Sequence, residues 1–535
     1  MSFIFVDALY LPLTNDMQQG EVFDSRIEIC FDKKVVEEAA DISILCGDNS
    51  LPIVRRETFS GKISTTPNGQ HVVDFGQNLA GGIEFHVDAH DGDRIFLMCG
   101  ETLDENGNFT QENFQNRKRH SENGTHQMIE YICKEGSNDF ESDFTIFGFR
   151  YALLDTNVDL TSFQISSFAV YSDMAEYKLL PNSNEEINKL IKNSLWSMKS
   201  NFCGVPTDCP TRERAGWTGD AAIFVKTALK LMDAYPLYAK WIRDVRDLQY
   251  KDGRMTNVAP KINHVGTMAR MMSGSVGWGD ACIIVPFALY EASGDIRILR
   301  DNYEMMKSWY SYLEKRAGKI TLSKLLTGNP YKKYLIYSGF DYGEWCEPGA
   351  NNIKEITNCK KSTGTAYLKH SGDMMAEIAT ILGLHNDRLH YEKVADKAKR
   401  AYIHQFTYRG MVTGARQCEY VRALNFDLVP DCNKDETASK LNDLVVKAGY
   451  HLNTGFLTTG ELYKTLVDYG YKDTAMQMLL NDTYPGWMYE IKKGATTIWE
   501  MWDGIDEKGR VKGSLNHYSY GAVVGNLIDK KTCNQ

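Results

Sequence analysis

A long train of helical segments is the feature that most limits how this chain folds. Near residue 184 the apolar residues Ile187, Leu190, Ile191, Leu195 and Met198 fall three or four positions apart, with one adjacent pair. This spacing places them on one face of a helix. We predict about twelve helices, from the same pattern and from segment length: near 184–203, 219–232, 235–250, 280–293, 296–316, 365–383, 387–405, 417–427, 435–450, 455–468, 471–481 and 516–530.

The predicted helices are of two kinds. AAIFVKTALKLM (221–232) and ACIIVPFALY (281–290) are apolar nearly all round, whereas RDNYEMMKSWYSYLEK (300–315) has one charged face. A helix that is apolar on every side must be buried. Alternation of the two kinds therefore predicts an inner ring of helices wrapped by an outer ring, which is an (α/α)6 barrel made of six hairpins.

Residues before the helices are typical of β-strands. Short β-rich runs, several of them alternating, are separated by turn signals such as Asp91-Gly92 and Asn106-Gly107. The runs are IEICF (27–31), DISILCG (41–47), HVVDFG (71–76), GIEFHVDA (82–89), DRIFLMCGE (93–101) and FTIFGFRYALLD (144–155). We predict a β-sandwich domain over 1–175 and a barrel domain over 176–535.

Length and composition limit the class of protein. At 535 residues the chain exceeds a single hydrophobic core, and its net charge of −10 disfavours nucleic acid as a partner. The N-terminus lacks a basic region, and no apolar run reaches the roughly 18 residues of a membrane span, so no membrane partner is expected. The 12 cysteines are scattered without a CxxC pair, which is typical of reduced thiols in a cytoplasmic protein.

Four loops share an unusual combination of glycine, tryptophan and carboxylate. They are VPTDCPTRERAGWTGD (205–220), GSVGWGD (274–280), SGFDYGEW (338–345) and GATTIWEMWDG (494–504). Six of the nine tryptophans lie in or beside them: Trp217, Trp278, Trp345, Trp487, Trp499 and Trp502. Flat indole faces beside carboxylates suit a sugar ring, which stacks on aromatics and donates its hydroxyls to acids. The shared combination of tryptophan and carboxylate in these loops therefore indicates carbohydrate recognition. For Trp278 and Trp345 the alternative is packing in the hydrophobic core.

Glu213 and Glu500 are the best candidates for a catalytic pair. Hydrolysis of a glycoside needs one protonated carboxyl to assist the leaving oxygen and one ionised carboxyl either to activate water or to attack the anomeric carbon. Arg212 and Arg214 favour the ionised form of Glu213, and Asp208 with Asp220 would oppose them. The alternative for Glu213 is a structural ion pair with its flanking arginines.

His517 is a further candidate, because it opens the last predicted helix within GSLNHYSYGA. There it would donate to a sugar hydroxyl, although a solitary histidine is as often structural. The remaining histidines have no metal-ligand spacing, and no phosphate-binding glycine loop or GxSxG motif is present. We therefore expect no metal and no cofactor.

These motifs resemble those of a known family. DCPTRERAGWTGDA, GWGDA, YPGWMYEIKKGATTIWEMWDG and SLNHYSYGAV look like the bacterial α-L-rhamnosidases of glycoside hydrolase family 78. VVDFGQNLAGGIEFHV and GETLDENGNF are similar to the β-sandwich that accompanies the six-hairpin barrel of that family. The resemblance spans nearly the whole chain.

The resemblance implies an inverting exo-hydrolase that removes terminal α-linked L-rhamnose. Glu213 would be the general acid and Glu500 the general base, with their carboxyl groups roughly 6.5 to 9.5 Å apart. The sugar subsite would be lined by Asp208, Arg212, Trp217, Asp220, Trp278, Trp345, Trp499 and His517. Glu344 stands where an aspartate is commoner in the family, so the resemblance assigns it no role.

The resemblance also bears on substrate and assembly. The chain is shorter than many family members, so the expected substrates are small rhamnosides or oligosaccharides rather than polymers. A homodimer is plausible by resemblance alone. Two other functions stay open: a hydrolase or phosphorylase for another sugar on the same barrel, and a sugar-binding protein without catalysis.

Overall fold

A computed structural model describes residues 13–27, 50–114, 126–262, 272–349 and 360–528. The chain forms two units. The first comprises Met1–Asp173, Pro210–Arg212 and Asp506–Ser514, and the second comprises Met174–Cys209, Glu213–Ile505 and Leu515–Gln535. The predicted strand residues at 28–31 and 41–47 lie outside the described residues.

The first unit is built on a twisted, largely antiparallel sheet. Its described strands are β1 (Thr14–Asp16), β2 (Gly20–Asp24), β3 (Ile53–Ser60), β4 (Lys62–Thr65), β5 (His71–Ala89), β6 (Arg94–Gly100), β7 (Thr102–Leu103), β8 (Phe109–Thr110), β9 (Met128–Ile132), β10 (Gly136–Glu141), β11 (Phe147–Thr156) and β12 (Gln164–Ser172). The sheet runs in the order β1-β2-β9-β6-β11-β5-β12-β3, and β4 and β10 also pair with β5. β2 and β9 are parallel, and β7 pairs only with β8 among the described strands.

The long strand β5 organises this sheet. The sequence predicts two strands here, at 71–76 and 82–89, but the structure has one strand of 19 residues. Gly81 lies between the two predicted runs and Gly82 begins the second, and a Cβ on Gly81 would stand 1.8 Å from the carbonyl oxygen of Phe168. Because glycine permits this approach, β12 packs directly against the centre of β5 and the strand continues without a break.

The second unit is helical. Its described α-helices are α1 (Glu185–Asn201), α2 (Thr218–Leu231), α3 (Tyr235–Asp247), α4 (Ala281–Ser293), α5 (Ile296–Gly318), α6 (Leu322–Leu325), α7 (Lys360–Ile381), α8 (His385–Phe406), α9 (Gln417–Asn425), α10 (Lys434–Lys447), α11 (Phe456–Asp468), α12 (Lys472–Leu479) and α13 (Trp487–Lys492). Every predicted helical segment except the last overlaps one of these helices. The short helices α6 and α13 were not predicted from the sequence.

Helix α1 shows why the predicted boundary is nearly right. Asn184 accepts hydrogen bonds from the backbone N–H groups of Glu186 (2.8 Å) and Ile187 (3.3 Å), so it caps the helix. Glu185 and Glu186 lie in the first turn, where a negative charge favours the helix dipole. The helix therefore begins at Glu185, one residue after the start of the predicted segment 184–203.

The last predicted helix, at 516–530, is different. It forms a 3₁₀ helix over Ser519–Asn526. A Cβ on Gly521 would lie 2.5 Å from the Ser194 hydroxyl, and one on Gly525 would lie 2.4 Å from the Thr227 hydroxyl. The glycines therefore permit close packing on α1 and α2, and they also weaken the propensity for a regular α-helix.

The two kinds of predicted helix are both found. Helix α4 buries most of its length, including Ile283, Val285 and Phe287. Helix α5 is charged on its outer side and buries a stripe that includes Trp309 and Leu313. Within the described ranges, no helix has both the length and the apolar character needed to cross a membrane.

Candidate active site

Asp208 fixes the loop that precedes α2. Its backbone N–H donates to the Ala215 carbonyl (2.9 Å), and its Oδ1 accepts the Ala215 N–H (2.9 Å). Arg214, inside this loop, has a left-handed backbone with φ of 47°. These two hydrogen bonds bring the chain back on itself between residues 208 and 215, which fixes the backbone on both sides of Glu213.

Glu213 is oriented by a neighbouring indole. Trp217 Nε1 donates a hydrogen bond to Glu213 Oε2 at 2.7 Å, and both side chains are half-buried. An indole N–H is only a donor, so Oε2 must be an acceptor. The carbonyl oxygen of a neutral carboxyl is the better acceptor, so this bond disfavours a proton on Oε2.

Asp220, in the first turn of α2, is buried and linked to the last segment of the chain. Its Oδ1 accepts the Ser519 hydroxyl at 2.9 Å and lies 3.3 Å from His517 Nε2. His517 Nδ1 accepts the Ser519 backbone N–H at 3.4 Å, which leaves Nε2 as the protonated nitrogen that donates to Asp220. Burial, partly offset by the hydrogen bond from Ser519, raises the pKa of Asp220 to about 7.

The negative charges that act on Asp220 come from two distant parts of the sequence. Burial and hydrogen bonding have the largest effects on the pKa of Asp220, and the negative charges of Glu213 and Glu500 raise it further. The pKa of Asp208 is likewise well above its usual range, because of burial and then the charge of Glu213. The structure thus brings four predicted carboxyl groups into one acidic cluster: Asp208, Glu213, Asp220 and Glu500. Burial and repulsion between like charges in this cluster favour the protonated forms of Asp208 and Asp220.

Glu500 lies on a loop that is anchored at the residues just before it. The Ile498 N–H donates to the Ser197 hydroxyl (2.8 Å), and the His517 N–H donates to the Ile498 carbonyl (2.7 Å). The Trp499 N–H donates to Glu490 Oε2 at 3.3 Å. These bonds fix the backbone beside Glu500, whose side chain is half-buried.

Most of the loop tryptophans do not offer a ring face to a sugar. Four of the six are at most 2% exposed: Trp278, Trp487, Trp499 and Trp502. The Trp278 ring lies against the Gly219 backbone, and Trp499 packs in a hydrophobic cluster with Tyr489 and Leu515. Both indoles are covered by the core, and the part of Trp278 and Trp499 in the sugar subsite stays a prediction.

Trp217 and Trp345 differ from these four. Trp217 is half-buried, and Trp345 is 36% exposed. The core-packing alternative thus applies to Trp278 but not to Trp345.

Two acids from the predicted loops are structural. Glu344 is fully buried in an ion pair with Arg422 and accepts the Thr458 hydroxyl at 2.9 Å. Asp280 is also fully buried and accepts bonds from Trp309 Nε1 (3.0 Å) and the Ser371 hydroxyl (2.6 Å). Both carboxylates hold loops in place.

Tyr342 belongs to the site but was not singled out from the sequence. Its ring centroid lies 4.5 Å from that of Trp278 and 5.9 Å from that of Trp217, and its hydroxyl accepts a bond from Asn257 at 3.3 Å. Burial raises the pKa of Tyr342, and the charge of Glu213 adds to the effect. Its position inside SGFDYGEW was the one available signal.

Arg212 lies in the segment Pro210–Arg212, which groups with the first unit. Its part in a sugar subsite stays a prediction. Among the described residues, His, Cys, Asp and Glu side chains form no group of three or more that could hold a metal ion.

Comparison with known proteins identifies the two units. Residues 177–530 match the family model of the bacterial alpha-L-rhamnosidase 6 hairpin glycosidase domain. Residues 64–171 match the bacterial alpha-L-rhamnosidase concanavalin-like domain. The predicted fold, a β-sandwich followed by an (α/α)6 barrel of the six-hairpin glycosidase type, is therefore confirmed.

Individual relatives agree with these matches. An alpha-L-rhamnosidase of Formosa agariphila is 33% identical over 465 residues, which cover 84% of this chain and 47% of the relative. The crystal structure of Streptomyces avermitilis alpha-L-rhamnosidase complexed with L-rhamnose superposes with a TM-score of 0.83 at 30% identity, covering 96% of this chain and 48% of that one. Native alfa-L-rhamnosidase from Aspergillus terreus gives a TM-score of 0.84 at 29% identity, covering 96% and 60%.

The chain thus spans about half the length of the curated relatives that it matches. Its helical unit nevertheless matches the family model over most of the chain, and the acidic cluster lies in the loops that carry the family's motifs. The chain belongs to the bacterial α-L-rhamnosidases of glycoside hydrolase family 78.

Proposed function

We propose that this chain is a glycoside hydrolase that removes terminal non-reducing α-L-rhamnose from rhamnosides by an inverting mechanism. The observation that carries the proposal is the shared influence of Glu213 and Glu500 on buried Asp220, two carboxylates that are far apart in the sequence. A general acid and a general base must act on one sugar, and this cluster supplies both. A carboxylate in the base position disfavours a phosphorylase, which uses phosphate in place of activated water.

The proposed reaction begins with a proton on Glu213 Oε1. This proton passes to the glycosidic oxygen as its bond to the anomeric carbon breaks, and the alcohol leaves. Glu500 takes a proton from a water molecule, whose oxygen attacks the anomeric carbon from the opposite face. The products are the free alcohol and β-L-rhamnose, and proton exchange with solvent restores both carboxyl groups.

The neighbouring residues have proposed positioning and binding roles. Asp208 holds the loop that carries Glu213, and the Trp217 N–H orients the Glu213 carboxyl. His517 and Ser519 hold Asp220, whose ionised form would favour retention of a proton by a nearby acid. Trp345, which is 36% exposed, is a proposed contact for the substrate. Small rhamnosides and oligosaccharides are the proposed substrates.

The test of the proposal is the identity of the released sugar. A panel of 4-nitrophenyl glycosides that includes α-L-rhamnoside, α-L-arabinoside, α-L-fucoside, α-D-mannoside and β-D-glucoside would be assayed for release of 4-nitrophenol. We expect turnover of the α-L-rhamnoside at a kcat/KM at least tenfold above that of the others, with no dependence on phosphate. Preference for another glycoside or a rate that requires phosphate would favour another sugar or a phosphorylase, and absence of turnover would favour a binding protein.

We also propose a reducing, cytoplasmic location and a homodimer. The described cysteines are free thiols, several of them buried, which supports a reducing compartment. Light scattering on the purified chain would test the dimer, since a mass near the 60.7 kDa of one chain would exclude it.

A further inference from the structure

Two exposed aromatic side chains lie on a loop that is otherwise buried. Phe340 is 44% exposed and Trp345 is 36% exposed, whereas Asp341, Tyr342 and Glu344 between them are at most 6% exposed. Large apolar side chains that are exposed beside a functional site commonly contact a ligand. We refer to Phe340 and Trp345 together as the aromatic pair.

Two buried ion pairs fix the loop that carries the aromatic pair. Asp341 pairs with Arg316 at 2.9 Å and accepts the Val276 N–H at 2.8 Å, and both charged side chains are at most 4% exposed. Glu344 pairs with buried Arg422 at the other end of the loop. The backbone on which the two rings are mounted is therefore held before any ligand binds, so binding would cost little ordering of the loop.

One ring connects the aromatic pair to the proposed acid. The Tyr342 centroid lies 6.5 Å from that of Phe340 and 5.7 Å from that of Trp345, nearly edge-on in both cases. It also lies 5.9 Å from that of Trp217, whose Nε1 donates to Glu213. Both exposed rings thus contact Tyr342, which in turn contacts the indole that donates to Glu213.

We propose that Phe340 and Trp345 form a leaving-group subsite for a flat aromatic aglycone, and this rests on the proposed function. An aromatic ring stacks on such side chains without needing hydrogen-bond partners. A sugar in the same place would need acceptors for its hydroxyls, but the two carboxylates of this loop, Asp341 and Glu344, are turned inward to arginines. The chemistry of the loop therefore favours an aryl rhamnoside over a rhamnosyl disaccharide.

The experiment compares 2-naphthyl with phenyl α-L-rhamnoside, because the two leaving phenols have similar acidity and differ in aromatic area. The measured quantity is the ratio of their kcat/KM values. For Phe340→Ala we expect this ratio to fall roughly 2- to 10-fold, the range of one aromatic contact. Phe340→Trp retains an aromatic face and should restore the ratio. The control is Tyr408→Ala, which removes another exposed aromatic, 65% exposed, from the short strand Thr407–Tyr408, and it should leave the ratio unchanged.

The outcomes separate this proposal from the proposed function. If the unmodified chain hydrolyses neither compound, the proposed function fails. If it hydrolyses both and Phe340→Ala leaves the ratio unchanged, the aromatic aglycone subsite is overturned. It is also overturned if Phe340→Ala instead lowers kcat/KM selectively for a rhamnosyl-glucose disaccharide, since the occupant is then a sugar.

Discussion

At the residue scale, the two proposed catalytic carboxyls should respond differently to the leaving group. Glu213→Gln removes a proton donor, so hydrolysis of ethyl α-L-rhamnoside should fall about 10²- to 10⁴-fold, while the 2,4-dinitrophenyl rhamnoside, whose leaving group needs little protonation, should lose far less. Glu500→Gln removes activation of water and should lower both rates. Steady-state rates on the two substrates test this.

The control for these two variants is Glu186→Gln, an exposed glutamate in the first turn of α1, which should leave both rates unchanged. Equal losses on the two substrates in Glu213→Gln would contradict its role as the acid. Full activity in Glu500→Gln would contradict its role as the base.

The second prediction concerns the effect of Asp220 on the stability of the folded chain. Its pKa is about 7 in the folded chain, against the ordinary aspartate value of 3.8. The folded state therefore holds a proton that the unfolded state loses, so this contribution to stability is present at low pH and is lost as pH rises from about 4 to about 7. A shift of this size corresponds to about 4 kcal/mol at most.

Urea unfolding of the unmodified chain and of Asp220→Asn between pH 4.5 and 8 measures this effect. The asparagine carries no titrating proton, so its free energy of unfolding should fall less steeply with pH. Parallel pH dependences for the two proteins would show that Asp220 is not the buried titrating group described here.

At the scale of elements, the loop 338–345 depends on its buried ion pairs. Glu344→Gln leaves the fully buried Arg422 without its countercharge, and breaking such a pair typically costs about 3–5 kcal/mol. The free energy of unfolding of the helical unit in urea should fall by that amount. Glu392→Gln, which breaks a partly exposed pair with Arg388 on α8, should change it by less than about 1 kcal/mol. A similar small change in both variants would contradict the anchoring role of Glu344.

Element positions were largely predictable from the sequence, because hydrophobic spacing and caps are local signals. The ends of α1, α4 and α5 fall within a few residues of the predicted ones. Which loop side chains face the site was not predictable, because exposure depends on tertiary packing. Trp345 and Trp499 have similar sequence surroundings, yet one is 36% exposed and the other 1%. Glu344 likewise has a structural partner, Arg422, that lies 78 residues away in the sequence.

At the scale of the whole molecule, several buried acids should make the protein more stable in mild acid than in mild base. Burial raises the pKa values of Asp208, Asp280 and Glu490, in the same direction as Asp220. Each holds a proton in the folded state that the unfolded chain has lost, so stability falls as pH rises above the usual range of carboxyls. The melting temperature should be higher at pH 5 than at pH 8.

Acids with the opposite shift act in a different pH range. Hydrogen bonds from Arg297 lower the pKa of exposed Asp295 to about 2, so its contribution is present above about 4 and is lost only as pH falls towards 2. Asp295→Asn should therefore leave the difference in melting temperature between pH 5 and pH 8 unchanged. A melting temperature that rises from pH 5 to pH 8 in the unmodified chain would contradict the neutral state of the buried acids.

The central claim is that the acidic cluster hydrolyses an α-L-rhamnoside with inversion. Proton NMR of the anomeric signals, recorded during the first minutes of hydrolysis of 4-nitrophenyl α-L-rhamnoside, tests it most directly. We expect β-L-rhamnose to appear first and the α anomer to grow later by mutarotation. Initial release of α-L-rhamnose, or turnover that yields no L-rhamnose, would contradict the claim.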